Sequence, residues 1–203
     1  MKFSILDAGN EGSISTFIVC EALTYGIAEG PLPSLGIGYK ILTGNAKSVG
    51  FVPYVGDGSA LLSVVSQIKS TETYYPVPNY QLIHAQNQIH VNDAVIFILE
   101  IVHLATTKEV TVPAESRWYN IYGERVSWKD VATVLARTLH SKGVFPSPEP
   151  RSVPIEQAGE GEIPKLLGSN MLMQGDRAAA LGFKATARSI LEHIPEDLEP
   201  YSL

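Results

Sequence analysis

Residues 88–105 constrain the fold more than any other stretch of this chain. Gln88-Ile89-His90-Val91 has the composition of a short strand. It runs through Asn92-Asp93 into AVIFILEIVHLA, residues 94–105. That run is long enough to be helical and apolar enough to be buried, and Asp93 is placed to cap its N-terminus. A strand that feeds directly into a buried helix is a unit of layered α/β architecture.

The rest of the chain reads as further strands and helices in alternation. ISTFIVC, residues 14–20, is short, β-branched and apolar, as a buried strand would be. A Gly/Pro-rich loop follows from Tyr25 to Pro33. Residues 35–48 suit a short helix, although Gly36, Gly38 and Gly44 weaken it. Phe51 to Val55 leads to the turn signal Gly56-Asp57-Gly58. Trp118 to Gly123 is strand-like, and Ser127 is placed to cap a helix to about Ser141, with Val131, Val134, Leu135 and Leu139 at helical spacing. Residues 143–154 read as a surface connection rich in proline and serine. Short helices are expected at 163–174 and 177–181, the latter stopped by Gly182, and a last one at 186–199 capped by Thr186.

Composition removes several function classes. The chain is 45% hydrophobic with a net charge of -6, so a packed core is expected and disorder is not. No Lys/Arg run exists to follow a phosphate backbone, which excludes a nucleic-acid groove. The one cysteine, Cys20, cannot form an intramolecular disulfide, and its apolar strand assigns it to the core. Asp7, Asn10 and Glu11 break any leader pattern, and no apolar stretch approaches the ~20 residues that span a bilayer. A soluble cytoplasmic protein with no membrane partner is the expectation. His84, His90 and His103 lack metal-ligand spacing, and no Gly-x-Ser-x-Gly elbow is present.

Residues 3–15 imitate a dinucleotide fingerprint: FSILDA, then Gly9-Asn10-Glu11-Gly12-Ser13-Ile14-Ser15. Ser15 stands where a glycine would allow close helix packing, Glu11 would repel a pyrophosphate, and the segment meant to become a helix has strand composition. The imitation is rejected.

Taken in order, four landmarks and the tail resemble the extended short-chain dehydrogenase/reductases, in particular fungal NAD-dependent epimerase/dehydratase-like proteins. They are Thr16–Cys20 with the loop Leu23-Thr24-Tyr25-Gly26-Ile27-Ala28-Glu29-Gly30-Pro31; Gly56-Asp57-Gly58; Ile89-His90-Val91-Asn92-Asp93-Ala94; Tyr119 to Trp128; and Ala180-Leu181-Gly182-Phe183-Lys184. The similarity covers most of residues 14–195 and only the C-terminal part of such an enzyme. It implies an incomplete Rossmann-like doubly wound sheet, late strands only, with a small helical substrate-side region. It divides the chain into residues 1–58 (late strand and substrate loop), 59–86 (insert or loop) and 87–203 (strand–helix and C-terminal helices).

The resemblance also implies site residues. Tyr25, Gly26 and Ile27 fall where the family's backbone approaches the nicotinamide side of NAD(P), and His90 and Tyr39 fall on the substrate side. Read without the family, Tyr25 and Gly26 are a packed tyrosine and a turn glycine, and His90 is a structural histidine. No catalytic residue is assigned. None of the nine tyrosines has a lysine four positions later, so the family's Tyr-x-x-x-Lys proton relay is missing. Glu21 replaces a frequent proline, and Gly38-Tyr39-Lys40 replaces Gln-x-Pro. The expectation is an NAD(P)-dependent oxidoreductase or epimerase lineage acting on a carbonyl or alcohol small molecule, with no cofactor stably bound by this chain alone. The alternative is a non-catalytic binding or interaction module built on the same fold. An incomplete sheet should self-associate, with Ile14, Phe17 and Val19 as the exposed strand.

Residues 59–86 are longer than the resembling proteins allow. Loops beyond ~12–15 residues are uncommon in compact domains. Tyr74-Tyr75-Pro76-Val77-Pro78-Asn79-Tyr80 would suit a lid. The preferred reading is a translated intron over 65–86: Val65-Ser66 can be encoded with a splice donor and Gln86 with an acceptor.

Overall fold

The computed structural model describes residues 2–12, 14–28, 33–56, 85–107, 109–170 and 172–201. In chain order the elements are α1 (Lys2–Asn10), β1 (Ile18–Glu21), β2 (Leu23–Tyr25), β3 (Ile27–Ala28), β4 (Ser34–Leu35), α2 (Ile37–Val49), β5 (Pro53–Val55), β6 (Ala85–His90), α3 (Val91–Thr107), β7 (Trp118–Ile121), β8 (Glu124–Ser127), α4 (Trp128–Ser141), β9 (Arg151–Val153), α5 (Ile163–Leu167), α6 (Asp176–Ala180) and α7 (Ile190–Leu198). They form two compact units, each discontinuous in sequence. The first holds residues 1–39, 87–124 and 173–190, and the second holds 40–86, 125–172 and 191–203.

Parallel strand pairs organise the first unit. β1 pairs with β7 and β2 pairs with β6, both parallel. The core cluster joins Ala22, Ile89, Tyr119 and Ile121 of the strand region to Ala94, Phe97 and Ile101 of α3. Phe97 meets Tyr119 and Phe183 edge to face, at ring-centroid distances of 5.7 and 5.0 Å. That is the geometry aromatic quadrupoles favour. α1 is tied to the turn before β7: the Asn10 amide donates to Glu115 Oε1 at 2.6 Å, and the buried Arg117 donates to the Gly9 carbonyl at 3.2 Å.

The second unit is organised by β5 and β9, which pair in parallel, and by α4. The Ser127 hydroxyl accepts from the Asp130 N–H at 3.0 Å, so the cap read from the sequence forms. α4 buries Trp128, Val131, Leu135 and Leu139. The Trp128 indole donates to the Leu166 carbonyl at 3.0 Å, so its polar atom is satisfied inside the core.

Several expectations are corrected. The first strand begins at Ile18 rather than Ile14, and the chain breaks at Ala22 before β2. Ile14 is exposed, but Phe17 and Val19 pack against the core cluster and are not an open face. Cys20 is half-buried on β1 rather than in the core. Residues 3–15 hold α1 and a turn at Gly12, an element the composition did not suggest. β8 and β9 were also unforeseen, and β9 crosses the expected proline-rich connection. α3 begins at Val91, so Asp93 lies inside its first turn and is not the cap. α7 begins at Ile190, whose N–H donates to the Glu124 carboxylate, so Thr186 is not its cap. α3 is not buried all round, because Val95, Ile98, Leu99 and Val102 are exposed.

α2 forms in spite of its glycines, and one of them has a packing reason. A Cβ on Gly38 would stand 2.8 Å from the Thr24 carbonyl oxygen, so only glycine lets this turn of helix lie against β2. Gly56 has φ of +62°, as the turn reading requires. Asp57, Gly58 and residues 59–84, with the lid and intron readings they carry, lie outside the described residues. Ala85 and Gln86 are the first residues of β6, so the last two positions of the 65–86 segment belong to a strand.

Candidate functional site at the ends of two parallel strands

The register of β2 against β6 matches Leu23 with Gln88, Thr24 with Ile89, and Tyr25 with His90. Tyr25 and His90 are the last residues of their strands. They therefore share the carboxyl-terminal edge of a parallel pair, the edge at which α/β sheets bind ligands. Both are buried, at 2% and 8% exposure. Their rings meet edge to face at 5.3 Å and 81°.

Local hydrogen bonds fix both side chains. The Asn92 N–H donates to His90 Nδ1 at 3.2 Å. Nδ1 must then be the acceptor, and Nε2 carries the proton in the neutral ring. Tyr25 donates its hydroxyl to the Arg188 carbonyl at 2.6 Å, which commits the phenolic proton to a backbone acceptor. Gly26 has φ of +97°, and a Cβ there would lie 2.5 Å from His90 Nε2. Glycine is required on two counts: the left-handed backbone and the imidazole packed against it. The Gly36 N–H donates to the Gly26 carbonyl at 2.8 Å and holds the turn closed.

Of the residues singled out by resemblance, Tyr25, Gly26 and His90 come together. Ile27 follows in β3, half-buried and paired with Leu35. Tyr39 lies in the first turn of α2 with no exposed surface. Asp93 has a different use. Its carboxylate accepts from the Thr186 N–H at 3.1 Å, the Thr186 hydroxyl at 3.0 Å and the Ala187 N–H at 3.1 Å. It thereby pins the segment that also carries Arg188. Sequence reading missed Asn92, Arg188 and Thr186 as partners. Asn92 was visible as a neighbour of His90, but nothing in the sequence connects Tyr25 to a backbone carbonyl at residue 188.

Glu115, on the same unit, is held below the usual carboxylate range by a hydrogen bond from its own backbone N–H, then by the Asn10 amide, with the charge of Arg117 adding to both. Among the described residues no group of three or more His, Cys, Asp or Glu side chains could hold a metal ion. No helix of the described residues is long and apolar enough to cross a membrane.

No family model and no curated protein matches the sequence. Solved structures do. UDP-glucose 4-epimerase from Thermus thermophilus, a complex with NAD, superposes with a TM-score of 0.53 at 12% identity, over 98% of this chain and 50% of that one. UDP-glucose 4-epimerase from Bifidobacterium longum, in complex with NAD+ and UDP, gives 0.50 at 18% identity, over 97% and 50%. dTDP-glucose 4,6-dehydratase from Bacillus anthracis str. Ames, in complex with NAD, gives 0.50 at 12% identity, over 98% and 48%. The chain shares their fold. It is a mixed α/β structure with parallel strands that spans about half the length of the structures it matches.

Proposed function

We propose that this chain is the C-terminal, substrate-side part of an NAD(P)-dependent oxidoreductase or epimerase acting on a carbonyl or alcohol small molecule, without the dinucleotide-binding and Tyr/Lys part. The observation that carries the reading is the register that sets Tyr25 and Gly26 beside His90 at the carboxyl-terminal edge of the parallel pair. The likeness to NAD-complexed structures over half their length supports the same architecture. In this reading the Tyr25-Gly26-Ile27 backbone borders the nicotinamide side. His90 and Tyr39 belong to the substrate side. The bound dinucleotide would supply the hydride. This chain's residues would shape the wall of the cleft, since the Tyr25 hydroxyl is already bonded and offers no proton relay. The sequence holds neither an acceptable glycine-rich phosphate turn nor Tyr-x-x-x-Lys.

The full 203-residue chain should show no turnover of NADH or NADPH with aldehydes or ketones. Hydride transfer needs a cofactor held in register together with a proton donor. Turnover by the purified chain overturns the reading. The internal commitments of Tyr25 and His90 also suit a second reading, a binding module without chemistry. The coding sequence upstream of Met1 separates the two. An in-frame strand–GxxGxxG–helix with Tyr-x-x-x-Lys supports the enzyme lineage, and its absence supports the module. The mature transcript also decides the 65–86 segment: its presence in the dominant message ends the intron reading.

A further inference from the structure

A cavity of about 390 Å³ lies between the outer part of α3 and residues 181–186, within the first unit. Its residues are other than Tyr25, Gly26, Ile27, His90 and Tyr39. The apolar part is made by Ile96, Phe97, Leu104, Leu181 and Phe183. Phe97 and Phe183 stand edge to face there at 5.0 Å. Ile96 and Leu181 keep 55% and 47% of their surface exposed, so apolar side chains border the cavity without covering one another. The volume lies within the ~300–1,000 Å³ range of small-molecule sites.

The charged groups lining it are Asp93, Glu100, His103 and Lys184. Asp93 is only 5% exposed and its carboxylate already accepts three hydrogen bonds from Thr186 and Ala187, so little of it faces a ligand. Glu100 and Lys184 are different. Both are exposed, and neither side chain makes a hydrogen bond or ion pair among the described residues. Apart from His103, the cavity therefore presents one available carboxylate, Glu100, and one available ammonium, Lys184, beside the Phe183 ring. A lone anion would meet Glu100 and a lone cation would meet Lys184. A molecule that carries both charges satisfies both.

We propose that this cavity binds a zwitterion with a flat apolar side chain, of the chemical class of an aromatic α-amino acid. The ring packs against Phe183, Ile96 and Leu181, the ammonium faces Glu100, and the carboxylate faces Lys184. The proposal does not depend on the oxidoreductase reading.

The test is a titration of the full chain, followed by amide NMR, with L-phenylalanine, phenethylamine and 3-phenylpropionate. L-Phenylalanine should give saturable shifts at Phe97, Gly182, Phe183 and Lys184. Each single-charge analogue should bind about tenfold more weakly or worse, the worth of one charge-assisted hydrogen bond. Lys184→Gln should weaken L-phenylalanine binding about tenfold or more and should not weaken phenethylamine binding, because the like charge that the amine met is gone. Glu100→Gln should do the same with 3-phenylpropionate in place of phenethylamine. Both positions are exposed, so the variants should fold. Leu181→Trp, at the mouth, should block all three ligands. No saturable shift with L-phenylalanine at ~10 mM, a concentration that detects even millimolar binding, overturns the proposal. So do analogues that bind as well as the amino acid, or charge variants that bind it unchanged.

Discussion

α3 and α4 both follow directly on a strand, yet they bury themselves in opposite ways. α4 is one-sided. Val131, Ala132, Leu135, Ala136 and Leu139 are buried, while Lys129, Asp130, Arg137 and His140 face outward. α3 buries Ala94, Phe97 and Ile101 against its strands and leaves Val95, Ile98, Leu99 and Val102 exposed at 42% to 60%. An amphipathic helix is finished once one face is covered, whereas a helix that is apolar all round belongs inside a larger core. The second unit thus contains what its principal helix needs. In the first, the described residues cover one side of α3. Contiguous apolar surface of this kind marks an interaction site or an aggregation liability.

The comparison breaks most visibly in the core. Leu135→Ala, at a side chain 1% exposed, should destabilise the chain by about 2–5 kcal/mol. The transfer of a leucine and the cavity left behind both contribute. Chemical denaturation of the variant checks this, and a loss below about 1 kcal/mol would mean that the α4 core relaxes more freely than its packing implies.

The two helix starts differ as well, and Asp93→Ala sharpens that difference. The carboxylate is 5% exposed and serves two backbone N–H groups and a hydroxyl of the 186–187 segment. Its removal should cost about 1–3 kcal/mol, because two backbone N–H groups and a hydroxyl lose a charged acceptor. Hydrogen exchange should rise at Thr186 and Ala187 rather than at the first turn of α3. Enhanced exchange confined to that first turn would restore the capping role instead. Ser127→Ala comes next, at about 1 kcal/mol, because one N-cap bond to Asp130 is lost. Its signature should be fraying at the start of α4 with the core transition still cooperative.

These helices also show how far the sequence could be read. Ser127 before an amphipathic repeat was legible because capping and periodicity are local properties. The α3 run was legible as a helix for the same reason. Its exposed side was not, since an apolar sequence states what a helix prefers and not whether the rest of the chain can supply it. Asp93 has the right residue type for a cap, but the strand passes into helix at Val91 without a break, and the carboxylate reaches a segment distant in sequence. β8 and β9 escaped because short strands of mixed composition carry no period of their own, and β9 exists through its pairing with β5. At the candidate site, the family resemblance carried by the strand–helix junction and the Tyr-Gly loop named Tyr25, Gly26 and His90. The bonds that lock them to Asn92 and Arg188 follow from the fold alone.

The smallest expected effect on stability is on the open face of α3, and it gives the sharpest test of the contrast. Ile98→Lys combined with Leu99→Gln replaces two aliphatic side chains that are 42% and 60% exposed. Exposed positions that take part in no packing usually change stability by about 0.5 kcal/mol or less each. The double variant should therefore melt close to the parent. It should differ in solution: the parent is expected to self-associate through its apolar face, with sedimentation coefficients that rise with concentration, and the variant should sediment as a monomer throughout. A matched pair on α4, Lys129→Gln with Arg137→Gln, should leave both stability and association unchanged, because that face is already polar. If Ile98→Lys with Leu99→Gln instead unfolds the chain, the row is part of a core and the two helices are alike. If the parent is monomeric at every concentration, the row is tolerated by water and α3 needs no second layer.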